Sequence, residues 1–220
     1  MVLTKSAYLE HRACPKAHWL KTNRPDEVAW PAPNAFARML MEGGYEIERV
    51  AREWVGSWPH ANACAFQVTY AADGLEARAD LVRHHDDGTI DLFEIKASTS
   101  IKSSTGDHVE DAAFQTVVIE RAGTTIRAIH IIHVNKDYER RGEIDPAALL
   151  VIVDVTEQVR QRLEEVGRSI GEALSFLALE QIDEAGCSCI YKGNQDNHCP
   201  TFARFNPDIP EPSVYILPRI

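Results

Sequence analysis

The sequence predicts an α/β fold in which helices flank a central mixed sheet, and three observations carry that expectation. Residues 34–55 keep Phe36, Met39, Leu40, Ile47, Val50, Ala51 and Trp54 at helical spacing. From Ala65 the period shortens to two, and strand-like runs follow at 65–71, 75–84 and 89–97. A helix at 109–122, a strand at 125–134, an apolar strand of the buried kind at 149–155 and a long helix at 157–184 then complete the α/β alternation. At 220 residues, 45% hydrophobic and 25% charged, the chain is long enough for one domain over 1–220 whose core needs no disulfide or metal to reach ordinary stability.

Each element has a local reason. Residues 4–13 read as a short helix, and Pro15 suits the first turn of a second one running to Trp19 and Leu20. Three prolines make 24–33 a loop, so 1–33 form an N-terminal helical segment. Asn34 is a fitting N-cap for the helix to Val55, in which Gly43 and Gly44 mark a bend or a close backbone approach. Asp73-Gly74 and Asp86-Asp87-Gly88 separate the three strands, the latter as a hairpin turn, and the core extends over 34–155. The helix at 157–184 carries Val159, Leu163, Val166, Ile170, Leu174, Leu177 and Gln181 at steps of three or four. It leads into a cysteine-bearing lobe within 156–220, where prolines at 200, 207, 210, 212 and 218 predict a loop or arm.

Composition excludes several classes. No apolar run reaches the ~18 residues of a membrane span, because Asp154 cuts the stretch at 147–153, and the N-terminus lacks a signal peptide's apolar core. A soluble, cytoplasmic protein without membrane contact is expected. The net charge of −10 rules out a generally basic nucleic-acid coat, yet residues 1–24 carry +4 and the remainder −14, so a local basic face remains. Five cysteines form no even disulfide framework. Cys187, Cys189 and Cys199 cluster as thiolates do around a metal or an iron-sulfur centre, whereas Cys64 sits alone in an apolar run as a small hydrophobe.

The most specific constellation is Asp80 followed by Glu94-Ile95-Lys96 across the hairpin. A three-residue loop with Gly88 left-handed makes His85 pair with Thr89, which sets Asp80 opposite Glu94 with Lys96 on the same face. A two-residue turn would instead put Asp80 opposite Ile95. Adjacent carboxylates repel, and a hard divalent ion, Mg²⁺ or Mn²⁺, relieves that while leaving positions for water and a phosphate oxygen. Lys96 beside them would position water and offset phosphate charge, which is the chemistry of metal-assisted phosphodiester hydrolysis.

A long helix, a strand with Asp, a hairpin, Glu-x-Lys and a helix with Gln resemble the PD-(D/E)XK nuclease superfamily, and Asp111-Ala112-Ala113-Phe114-Gln115 is similar to the glutamine motif of its RecB-like branch. The position four residues on, usually Tyr in that branch, is Ile119. The resemblance implies a restriction-endonuclease-like sheet, a catalytic role for Asp80, Glu94, Lys96 and Gln115, and a further ion ligand on the preceding helix. Glu46 and Glu48 both flank the apolar stripe; Glu42-Gly43-Gly44-Tyr45-Glu46 resembles the family's segment, so Glu46 is preferred to complete the Mg²⁺/Mn²⁺ set with Asp80 and Glu94.

Cys14-Pro15 near the start, with Cys187, Cys189 and Cys199-Pro200, is similar to the pattern of the CRISPR-associated exonucleases and helicase-nucleases that hold an iron-sulfur cluster. A bacterial family of uncharacterised proteins is more similar still, through Leu3-Thr4-Lys5-Ser6, Cys14-Pro15-Lys16 and the Cys-Ser-Cys-Ile-Tyr-Lys-Gly stretch, and it continues past a segment like 214–220, so this resemblance implies a short or a truncated member. The resemblance implies a 4Fe-4S cluster on Cys14, Cys187, Cys189 and Cys199 that clasps the C-terminal lobe to the N-terminal segment. The single residue between Cys187 and Cys189 departs from the exonucleases and keeps zinc open as the alternative, with His198 as a substitute ligand. The implied function is a metal-dependent DNA exonuclease on single strands or ends, alone, as an oligomer or in a repair- or CRISPR-type assembly. The alternative is a non-catalytic DNA-binding or assembly module that keeps fold and cluster.

Overall fold

A computed structural model describes residues 2–102, 107–186, 199–210 and 212. The chain divides into two compact units, one of Met1–Lys5 and Arg38–Ser169, the other of Ser6–Ala37 and Ile170–Ile220. Among the described residues no helix is long and apolar enough to cross a membrane.

The first unit is built on a six-stranded mixed sheet. Its strands are β1 (Leu3–Thr4), β2 (Cys64–Ala72), β3 (Leu75–His84), β4 (Ile90–Lys96), β5 (Ile126–Val134) and β6 (Leu150–Asp154). β2, β3 and β4 form an antiparallel meander, β5 lies parallel to β4, and β6 returns antiparallel to β5. The three-residue turn holds: His85 N–H donates to the Thr89 carbonyl at 2.9 Å, Gly88 has φ 82°, and Leu81 pairs with Phe93 and His84 with Ile90. That is the register that sets position 80 against position 94.

β3 is paired along one edge by β2, from Leu75 to Arg83, with a break at Asp80 opposite Gln67. Its other edge is shared. β1 takes Leu75 and Glu76 in parallel, and β4 takes Leu81 to His84, which leaves residues 77–80 at a fork between the two. A strand has only two hydrogen-bonding edges, so backbone groups at such a fork must find partners outside the ladder.

Helices cover both faces. α3 (Ala35–Gly56) begins as expected, with Asn34 Oδ1 accepting the Ala37 N–H at 2.8 Å, and sets Val50, Ala51 and Val55 against Leu81, Phe93 and Ile132. Gly43 and Gly44 lie within this continuous helix, and a Cβ at either would meet open space, so the expected close approach is not their reason. α4 (His108–Arg121) crosses over from β4 to β5 and is buried on nearly every side. Asp107 caps it, accepting the Val109 and Glu110 N–H groups at 2.9 and 3.2 Å. One turn, α5 (Pro146–Leu149), precedes β6.

The second unit contains α1 (Lys5–Ala13) from Ser6 onward, α2 (Pro15–Asn23), the end of α6 (Thr156–Leu177) and α7 (Phe202–Phe205). α6 stops seven residues short of the expected Glu184. The end of the chain's helical path is taken by α2 side chains: Asn23 Nδ2 donates to the Leu177 carbonyl at 3.1 Å and Trp19 Nε1 to that of Leu179 at 2.9 Å. The tail beyond Cys199, expected to lack regular structure, holds α7 between Pro200 and Pro207. Prolines bound this turn without entering it, and fully buried Phe205 anchors it beneath the Lys16 ammonium, 5.5 Å from the ring centre.

Candidate active site

Alternation along β4 puts Glu94 and Lys96 on one face, and the fork in the sheet gives them unusual neighbours. Glu94 is 1% exposed. A lone carboxylate there would be prohibitively costly, and this one has three donors. Lys5 Nζ reaches its Oε1 at 2.6 Å, Lys96 Nζ reaches the same oxygen at 2.8 Å, and Gln115 Nε2 donates to Oε2. Lys96 also bonds Asp111, one turn before Gln115 on α4. Asp80, half-buried on β3, faces the pair from the fork: its Oδ2 accepts the Ile95 N–H at 2.9 Å, supplying a partner just beyond the last β3–β4 pair.

The electrostatics follow from this geometry. Burial works against the Glu94 charge, but the Lys5 and Lys96 ammoniums outweigh it and hold the carboxyl well below the usual carboxylate range. Burial likewise opposes the Lys96 charge, and Glu94 and Asp111 override it, raising its pKa above the ordinary lysine value. Asp80 goes the other way. Burial first and the Glu94 charge second push it up to about 7, against smaller opposing effects of Lys5, the Ile95 N–H and Lys96.

A divalent ion fits this donor set in kind. Asp80 and Glu94 are hard oxygen ligands on neighbouring strands, and Mg²⁺ commonly takes one or two carboxylates with water and phosphate oxygens completing the shell. Two buried acceptors, Gln115 Oε1 and Asp111 Oδ1, lack a hydrogen-bond partner at the same place. Gln115 turns its amide nitrogen to the Glu94 carboxylate, so the carbonyl oxygen necessarily faces elsewhere. Among the described residues no three His, Cys, Asp or Glu side chains are grouped to hold a metal, so water and substrate would supply the remaining ligands.

The structure thus brings together Asp80, Glu94, Lys96 and Gln115. Glu46 is exposed on α3 and, among the described residues, no hydrogen bond or ion pair joins it to them, whereas Glu48 accepts Gln67 Nε2 at 3.0 Å, and the same nitrogen lies 3.5 Å from Asp80 Oδ1. Glu48 also holds Arg52 at 2.6 Å. Gln67 has φ 56° in the middle of β2, a left-handed backbone that costs a non-glycine residue roughly 1 kcal/mol or more. Sequence reasoning missed Lys5, Gln67 and the part played by Asp111. Only Asp111 left a usable signal, its spacing of four from Gln115, which places both on one helix face.

Of the expected cluster ligands, Cys14 and Cys199 belong to the second unit, and Cys187, Cys189 and the alternative His198 lie outside the described residues. Cys14 caps α2, its Sγ accepting the Ala17 N–H at 3.4 Å, and Cys199 Sγ lies 3.1 Å from Thr201 Oγ1. Cys64 packs against the core of the first unit, where burial pushes its thiol pKa up, in keeping with its reading as a small hydrophobe.

No protein-family model matches the chain, and no curated protein is similar to it in sequence. Solved structures similar to it include an alkaline exonuclease, LHK-Exo, from Laribacter hongkongensis, at 14% identity and TM-score 0.47, covering 80% of this chain and 89% of that one. The same exonuclease in complex with dAMP aligns at 13% identity and TM-score 0.44, with the same coverage. The crystal structure of SSO0001 aligns at 11% identity and TM-score 0.44, over 83% of this chain and 77% of that one.

Proposed function

We propose that this chain is a metal-dependent DNA nuclease, an exonuclease acting on single strands or ends. The observation that carries the reading is the convergence of Asp80, Glu94, Lys96 and Gln115 at the fork between β1 and β4. Asp80 and Glu94 would hold Mg²⁺ or Mn²⁺, with Glu48 linked to them through Gln67 and better disposed to assist than Glu46. When bound, the ion supplies Lewis-acid polarisation of a phosphodiester oxygen and a more acidic water.

The side chains do the rest. Lys96, raised in pKa by two carboxylates, stays an ammonium throughout the neutral range, so it serves as a fixed cation and donor and not as a general base. Its two anions, on β4 and α4, fix the Nζ in place, which is the preorganisation that makes a charge useful in a transition state. Gln115 fixes the orientation of Glu94. Asp80 is poised at about 7, and a neighbouring cation favours its ionised form.

The reading extends to a 4Fe-4S cluster on Cys14, Cys187, Cys189 and Cys199, with zinc as the alternative, and to a cytoplasmic, reducing setting in which such thiolates persist. Anaerobically purified protein is expected to contain iron and sulfide and to lose both in Cys14→Ala; stoichiometric zinc without iron selects the alternative. Single- and double-stranded DNA offered with and without Mn²⁺ tests the nuclease. Cleavage that needs Mn²⁺ and disappears in Asp80→Ala supports it, and a wild type that binds DNA but cleaves no substrate replaces it with a binding module.

A further inference from the structure

Glu94 is the most heavily engaged carboxylate of the site. Two ammoniums share its Oε1 and an amide holds its Oε2. Both lone pairs of Oε1 are taken by the two ammoniums, so a divalent ion that coordinates this oxygen must displace a donor. They are not equally held. Lys96 keeps a second anion, Asp111, whatever happens at Glu94. Gln115 sits on a helix buried on nearly every side. The Lys5 ammonium, among the described residues, has Glu94 as its one hydrogen-bonding partner, and its side chain is 24% exposed against 18% for Lys96. It is the donor that can leave.

Charge points the same way. With Asp80 ionised, three carboxylates (Asp80, Glu94 and Asp111) face two ammoniums, a net of one negative charge. Without Lys5 they face one ammonium, and the net of two negative charges is what a divalent ion neutralises. We infer that Lys5 is a displaceable counter-cation of Glu94, which stabilises the buried carboxylate and yields it to a divalent metal ion, thereby setting the concentration at which that ion enters. Lys5 holds this position because Leu3, 1% exposed, and Thr4 are pinned to β3 immediately before it, with the Leu3 N–H bonded to the Gly74 carbonyl at 2.9 Å. The four-carbon stem beyond its Cα is flexible by nature, so the ammonium can move without the backbone.

This inference rests on the metal-dependent reading of the same site, and binding separates the two without any turnover. Mn²⁺ is titrated calorimetrically into wild type, Lys5→Met, Lys5→Gln and Lys5→Arg in the absence of DNA, with Asp80→Ala identifying the heat that belongs to this site. Removing a competing occupant raises apparent affinity by the fraction of sites it had blocked, so Lys5→Met and Lys5→Gln are expected to bind Mn²⁺ about tenfold more tightly, with Lys5→Arg close to wild type. Lys5→Gln keeps a donor to Glu94 and serves if Lys5→Met does not fold. A merely structural ion pair predicts the opposite sign: unchanged or weaker Mn²⁺ binding in both neutral variants overturns the inference and leaves the metal site standing. A folded wild type that takes up no Mn²⁺ at this site overturns both.

Discussion

β4 carries two buried carboxylates three residues apart, and they are satisfied in opposite ways. Asp91, 2% exposed, meets Arg83, its register partner on β3, whose Nε donates at 3.1 Å, and His85 Nε2 lies 3.0 Å from the same oxygen. Every partner comes from the same hairpin. Glu94 draws Lys5 from beyond β1, Lys96 from its own strand and Gln115 from α4. The difference is instructive: a carboxylate paired by its cross-strand neighbour contributes to register and here keeps one oxygen, Asp91 Oδ1, without a partner, whereas one whose two oxygens are both engaged from three separate elements joins them at a point.

If that contrast is correct, the two ends of the hairpin respond differently to substitution. The largest effect is on turnover: Lys96→Ala and Asp80→Ala each lower DNA cleavage by about a thousandfold, measured in single-turnover assays, while Arg83→Ala stays within about twofold of wild type. Asp80→Ala also weakens Mn²⁺ binding, and Lys96→Ala does not, because the ammonium it removes shares Glu94 Oε1 with Lys5. Equal losses at both ends would break the comparison.

Next in size is a pH-dependent stability. Asp80 has a folded pKa of about 7, above its ordinary 3.8, so the stability it contributes is complete below about pH 4 and is lost as pH rises through about 7. The shift corresponds to about 4 kcal/mol. Asp80→Asn removes that ionisation, so in chelator its denaturant midpoint is expected to gain on wild type from pH 4 upward and to level off above 7. Glu94 does not blur the window, because its depressed pKa makes its contribution vanish only at much lower pH. A constant difference across that range would show that Asp80 does not carry the shift.

At the other end, Arg83→Ala leaves the Asp91 charge buried and is expected to cost about 3 kcal/mol in urea unfolding, with Asp91→Ala costing less because the guanidinium left behind reaches solvent. The smallest effect concerns backbone strain: Gln67→Gly is expected to be about 1 kcal/mol more stable than Gln67→Ala, since glycine adopts φ 56° without penalty. The reverse order would mean that the positive φ at Gln67 is not strained.

Much of the hairpin was legible because its determinants are local. Asp86-Asp87-Gly88 fixes the turn, the turn fixes the register, and alternation then aligns Asp80, Glu94 and Lys96. Gln115 was legible from motif resemblance. The choice between Glu46 and Glu48 was not, because both flank the apolar stripe of α3, and only the position of Gln67 on β2 favours Glu48. Gln67 itself gave no sign, since nothing in the residue type announces a left-handed backbone within a strand. Lys5 was legible only as part of a basic segment; a two-residue strand is too short to show a period, yet it is what delivers the ammonium.

That short strand has a consequence for synthesis. Lys5 and Glu94 are 89 residues apart, and at roughly 5–20 residues per second the ribosome needs on the order of 5–20 s to travel from one to the other. The β3–β4 hairpin needs no distant partner and closes in microseconds once both strands are clear of the ribosome. β1 must wait upstream, unpaired, until β3 exists to receive it. Glu94 thus meets one ammonium, Lys96, by a local step on its own strand, and the other, Lys5, only by a closure across 89 residues.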